Sequence, residues 1–165
     1  MPTIHRARAL PAALLLASAL FGCGSESGTG GSGGQTTTGP RCASDPRVTS
    51  YAVGIAATST DGKTKVTFAD ALPAPPEKGS NVWTIDVADD QGKPVEGATI
   101  KLELFMPEHG HAATITPTVK AGDKAGRYVV SDIELFMPGI WENTFTITPA
   151  GGIATTVVFT FCVDG

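Results

Sequence analysis

Apolar and polar positions alternate with period two in segment after segment of this chain, and no window carries a helical period. In NVWTIDVA, Trp83, Ile85 and Val87 share one face; in ATIKLELFM that face carries Ile100, Leu102, Leu104 and Met106. RYVVSDIELFM offers Val129, Ile133, Leu135 and Met137, GIWENTFTIT offers Trp141, Phe145 and Ile147, and TTVVFTFCV offers Val157, Phe159, Phe161 and Val163. Such runs are strands with one buried face. Turn residues separate them at Asp61-Gly62, at 90–94 (DQGKP), at Gly122-Asp123 and at 150–152 (AGG). About seven short strands in roughly 120 residues predict an all-β fold, an immunoglobulin-like antiparallel β-sandwich. A small closed barrel is the competing architecture.

The pattern begins only after residue 42. Residues 1–22 read as an export signal: His5, Arg6 and Arg8 form a basic start, and the apolar run 9–20 is too short to span a bilayer. The run closes in Leu20-Phe21-Gly22-Cys23, which resembles the lipobox of bacterial lipoproteins and marks Cys23 for lipidation, although Phe21 stands where a small residue is usual. Ordinary secretion is the alternative. Residues 23–41 continue as a Gly/Ser/Thr tether without an apolar side chain to bury, of about 20–25 Å mean reach. The expected location is the bacterial cell envelope, lipid-anchored and facing the periplasm or the outside.

Residues 42–165 are the length of one domain. In an exported chain Cys42 and Cys162 read as a disulfide closing the fold from first residue to last strand; paired metal ligation is the sharper alternative, disfavoured where thiols oxidise. The net charge of −4, with no basic stripe, argues against a nucleic-acid partner.

One pentapeptide, ELFMP, occurs twice: at 103–107, continuing EHGH to His111, and at 134–138, continuing GIW to Trp141. The chain has three histidines and three methionines, and beyond residue 5 all of them lie in these two stretches. Alternation points Leu and Met of each copy inward and Glu and Phe outward, and Pro107 and Pro138 end the strands because proline cannot donate to a ladder. Both methionines are thus expected at strand ends, and counting strand directions through one intervening strand near 113–119 puts them at a shared end.

Thioethers are soft, neutral ligands that favour Cu(I), and imidazole suits copper in either state. His109 and His111, one residue apart, project from the same side of an extended segment, and Gly110 lets the backbone turn between them. Met106, His109, His111 and Met137 are therefore the candidate metal ligands, with Glu108 and Trp141 beside them, and copper is the expected ion. Set against this, methionine at a core edge is ordinarily packing and His-Gly-His in a loop is ordinarily solvated. Glu103 and Glu134 face outward on regular strands and are not an acid/base pair. No nucleophile with a base, no phosphate loop and no third histidine for a catalytic zinc is evident, so neither an enzyme nor a small-molecule substrate is expected.

Four motifs, DQGKPVEGA at 90–98, MPEHGH at 106–111, GRY at 126–128 and MPGIW at 137–141, resemble in order and spacing the YtkA-like domain, related to FixH-type proteins. That family's pattern includes M-P-x-M-G-H, then G-x-Y, then M-x-G-x-W, and the likeness spans Asn81 to Thr148. The resemblance implies an immunoglobulin-like sandwich in exported or membrane-anchored bacterial proteins, linked to copper handling and cytochrome oxidase assembly. Met106, His111 and Met137 match the pattern; His109 replaces a methionine, which weakens a strict Cu(I) preference. Two functions follow: a copper-binding domain serving a copper-accepting envelope protein, or an interaction module of the envelope in which the MP motifs are turn architecture.

Overall fold

A computed structural model describes residues 42–165; the expected signal peptide, Cys23 and the tether lie outside the described residues. Nine strands, β1 (Ala56–Thr58), β2 (Thr64–Leu72), β3 (Gly79–Asp89), β4 (Thr99–Met106), β5 (His111–Ala112), β6 (Thr118–Ala121), β7 (Arg127–Leu135), β8 (Gly139–Thr148) and β9 (Thr155–Val163), form two antiparallel sheets. One runs β1-β2-β3-β7-β6 and the other β5-β4-β8-β9, so the sheets stack as an open sandwich rather than a barrel. The expected fold class holds, with nine strands instead of seven because β1 and β5 are only three and two residues long.

The inward faces of β3, β4, β8 and β9 are those the alternation gives: Trp83, Ile85, Leu104, Met106, Trp141, Phe145, Phe159 and Val163 are all buried. At the centre sits Phe68 of β2, whose ring lies 4.9 Å from Phe159 and 5.4 Å from both Trp83 and Phe161, mostly edge to face. The expected stripe of β7 is corrected. Tyr128 and Val130 point inward, then Ile133 and Leu135, while Val129 is half-buried on the other face. The phase changes because the pairing with β3 shifts between Asn81 and Trp83, leaving an extra residue around Asp132, whose backbone is left-handed at φ 59°. Met137 falls beyond the end of β7, in the link to β8, and is half-buried rather than on a strand stripe.

The end of the sandwich where β3 stops and β4 begins is tied by the GRY motif. The Tyr128 hydroxyl donates to the Val95 carbonyl at 2.8 Å and accepts from the Ala98 amide at 3.0 Å. Gly126 lets this corner close: at φ +71°, a Cβ there would stand 2.7 Å from the Val87 carbonyl oxygen and 2.8 Å from Pro94. Asp86 and Arg127, neighbours across β3 and β7, form a two-bonded ion pair at 2.8 and 2.9 Å. Two of the four family motifs are thus structural.

The Cys42–Cys162 disulfide is present and closes a separation of 120 residues. The buried hydrophobic core of the described residues lies between Val66 and Val163, so residues 42–165 hold all of it.

Candidate metal centre at one end of the sandwich

The other two motifs meet at the opposite end. Strand β4 runs to Met106, turns through 107–110 and returns as β5, with Met106 paired to His111. The amides of His109 and Gly110 both donate to the Met106 carbonyl, at 3.1 and 2.9 Å, which winds the turn tightly and places Gly110 at φ +69°. On its other side β4 pairs with the start of β8, Leu104 with Asn143 and Phe105 with Glu142, so the next step along sets Met106 against Trp141. Both side chains are fully buried.

The second ELFMP copy arrives from the other sheet. Strand β7 ends at Leu135, and the link 136–138 crosses the end of the sandwich to Gly139, the first residue of β8. There the first copy comes close to the residue that follows the second: a Cβ on Gly139 would stand 2.9 Å from the terminal methyl of Met106, and the residue sits at φ +133°. Met137 turns its carbonyl to the indole N–H of Trp141, which donates at 2.9 Å, and its side chain packs partly on the core. The two methionines do share an end, as strand direction implies.

A row of rings continues from the indole. Phe136 meets Trp141 edge on at 5.3 Å, His111 stacks on Phe136 at 5.6 Å and 19°, and His109 follows at 5.7 Å from His111. His109 lies on the tight turn and His111 opens β5, rather than both lying on one extended segment, yet their rings remain neighbours. Met106 and His109 line one cleft of about 480 Å³, whereas His111 and Met137 lie beside it at the same end and not in its lining.

The opposite wall of that cleft is a segment that sequence reasoning passed over, residues 42–47, pinned by the disulfide. Its Arg47 grips Asp45 through Nε and Nη2 at 2.9 and 2.8 Å, and Nη2 also contacts the Glu108 carboxylate across the cleft. The two Arg47 hydrogen bonds, side chain first and backbone second, bring the Asp45 carboxyl down to about 2, and Asp45 and then Glu108 push the guanidinium up. Glu108 therefore faces Arg47 rather than standing free. Phe136 was legible only as an outward-facing ring, and Gly139 only as a member of the MPGIW motif.

Among the described residues no three His, Cys, Asp or Glu side chains gather to hold a metal ion. The soft donors that share this end are thioethers and imidazoles, neutral groups of the kind that Cu(I) prefers. The two carboxylates at the cleft, Asp45 and Glu108, share the one guanidinium of Arg47.

No curated protein sequence matches the chain. Among solved structures, the crystal structure of FetP from uropathogenic E. coli strain F11, recombinantly expressed in the E. coli periplasm, is similar at 16% identity and a TM-score of 0.48, covering 70% of this chain and 96% of that one. A model of the YtkA-like family matches residues 60–146, over half of the chain, starting ahead of Asn81 and so taking in β2. The chain belongs to the YtkA-like family.

Proposed function

We propose that this protein is an extracytoplasmic copper-binding domain, held at a membrane by a lipid on Cys23, that receives Cu(I) at Met106, His109, His111 and Met137 and passes it to an envelope protein. One observation carries the reading: every histidine and methionine beyond residue 5 lies at one end of the sandwich, although the two motifs come from different sheets. The Cys42–Cys162 bridge supports an oxidising compartment, where thioethers persist as soft ligands and thiols do not. Trp141 and Phe136 wall the cluster with aromatic surface, and Glu108, tied to Arg47, stands at the rim. The domain is proposed as a carrier rather than an enzyme.

The test is a Cu(I) titration of residues 36–165 against a competing chelator, beside a variant with Met106→Leu, His111→Ala and Met137→Leu. One-to-one binding tighter than micromolar that the variant loses is the expected result. Equal behaviour of the two proteins, or no binding, overturns the reading.

One observation favours the interaction module: Met106 is fully buried, as a packing residue would be, while Phe136 is exposed at the same end. In that case partner binding survives the triple substitution and fails on Phe136→Ser.

A further inference from the structure

We infer that the free edge of β9 is an interface between two copies of this chain: residues 155–159 of each pair antiparallel about a two-fold axis at Val157, joining two β5-β4-β8-β9 sheets into one. The inference goes beyond the copper reading and does not depend on it.

Strand β9 is the last of its sheet and pairs with β8 without a register shift. Its other side is open. The Thr160 carbonyl accepts from the Thr49 amide at 2.7 Å, so Thr160 turns its backbone polar groups away from β8. Val158 and Thr156, two and four residues earlier, do the same, because the facing alternates along an antiparallel strand. Among the described residues no backbone hydrogen bond reaches either of them from that side. The other edges are guarded in the ways that keep a strand from pairing with strangers. Strands β1 and β6 are three and four residues long, while β4 is flanked by β5 and turns Lys101 and Glu103 outward. Strand β9 has nine residues, TTVVFTFCV, with no charge, proline, glycine or bulge among them. Its neighbours on the outer face are Thr144 beside Val158 and Thr146 beside Thr156, so no charge from β8 protects it either.

A second copy is the occupant that this strand itself specifies. The open run is bounded by the start of β9 at Thr155 and by the Thr49 contact at Thr160, which puts its centre at Val157. Antiparallel pairing about that centre sets Thr156 against the partner's Val158 and Val158 against the partner's Thr156, and each such pair exchanges both of its N–H···O=C bonds. Both side chains are exposed and β-branched, so they pack across the new ladder and no like charges meet. By contrast, self-pairing of β4 over 99–103 would set Lys101 against the partner's Lys101. The ends match as well. Ile153, just ahead of β9, is 90% exposed, and the register carries it towards the far end of the partner's strand, where Val48, Tyr51, Pro75, Pro76 and Phe161 border a cleft of about 230 Å³. Each protomer offers one such side chain and one such cleft, which is the self-complementarity that a closed two-fold dimer requires.

The experiment uses the full chain carrying either Thr156→Cys or Val158→Cys, one of the two with a larger affinity tag, oxidised with diamide separately and as a mixture and read on a non-reducing gel. The wild type, treated alike, sets the background from its own cysteines. Both sites are exposed on the outer face, so neither substitution touches the core. The mixture is expected to give a tagged–untagged heterodimer in several-fold excess over the homodimers of either variant, because only the unlike positions face each other at the Cα separation of about 5.5 Å that a disulfide spans. Adding Ile153→Asp to both chains is expected to weaken that band several-fold. Absence of the heterodimer overturns the inference, and slow hydrogen exchange at Thr156 and Val158 in that case assigns the edge to a different segment or partner. Homodimers as abundant as the heterodimer overturn it too, since they place the two-fold at another residue, as does a band unchanged by Ile153→Asp, since the register carries that side chain into the partner.

Discussion

Met106 is both the last buried residue of β4 and the proposed soft ligand, and a single substitution separates the two roles. Leucine fills nearly the same volume, so at this fully buried site Met106→Leu should cost under about 1.5 kcal/mol of stability, whereas Met106→Ala should cost about 2–5 kcal/mol through the cavity it leaves. Leucine has no sulfur. If the thioether ligates Cu(I), its loss should weaken binding by about ten- to a hundredfold, or about 1.4–2.8 kcal/mol. Denaturant unfolding with and without copper reads both numbers at once, because a ligand that binds only the folded state stabilises it by mass action. At free Cu(I) about a hundredfold above the wild-type Kd, the wild type should gain about 2.7 kcal/mol, and Met106→Leu only about 0.4–1.4 kcal/mol. A Met106→Leu protein that keeps the full gain would falsify the assignment of this sulfur as a ligand and leave Met106 as packing alone.

Gly126→Ala should destabilise by about 2–5 kcal/mol in urea unfolding, since it combines left-handed backbone strain with a 2.7 Å approach to the Val87 carbonyl; a loss below about 0.5 kcal/mol would mean that the corner yields. Tyr128→Phe should cost about 1–3 kcal/mol by stranding the Val95 carbonyl and the Ala98 amide, with no change in copper affinity. Removing the disulfide by Cys42→Ser with Cys162→Ser should lower stability by up to about 5 kcal/mol, as a 120-residue loop is freed, and increase hydrogen exchange in residues 42–48. Acid should act through Asp86, which the hydrogen bond from Arg127 holds below the usual carboxylate range. A depressed folded-state value contributes stability that is complete above the unfolded value near about 4 and is lost as pH falls through the folded one, so the melting temperature should drop below that point and Asp86→Asn should flatten the drop.

The fold was legible wherever a strand keeps one phase and carries large side chains on its inner face. That describes Trp83-Ile85-Val87 and Val157-Phe159-Phe161-Val163, and both are buried as their alternation requires. Strand β2 was not legible, because it offers only Val66 and Phe68 before its register shifts near Asp70, although Phe68 is the hub of the core. The bulge at Asp132 was hidden as well: Ser131-Asp132 reads as two more polar steps of one alternation, and only the pairing with β3 shows the extra residue. At the metal end, the shared position of the methionines followed from strand directions, while the Arg47–Glu108 pair, 61 residues apart, has no local signature at all. The repeated pentapeptide carries the sharper lesson. In its first copy E-L-F-M runs on in a strand to a buried Met106; in its second the strand stops at Leu135, and Phe136 and Met137 cross between the sheets. Identical residues thus do different work, one copy supplying a buried sulfur and the other the turn, with Gly139, against which the methyl of that methionine rests. The two methionines are therefore not equivalent ligands by symmetry, and substituting them one at a time should give unequal losses of copper affinity.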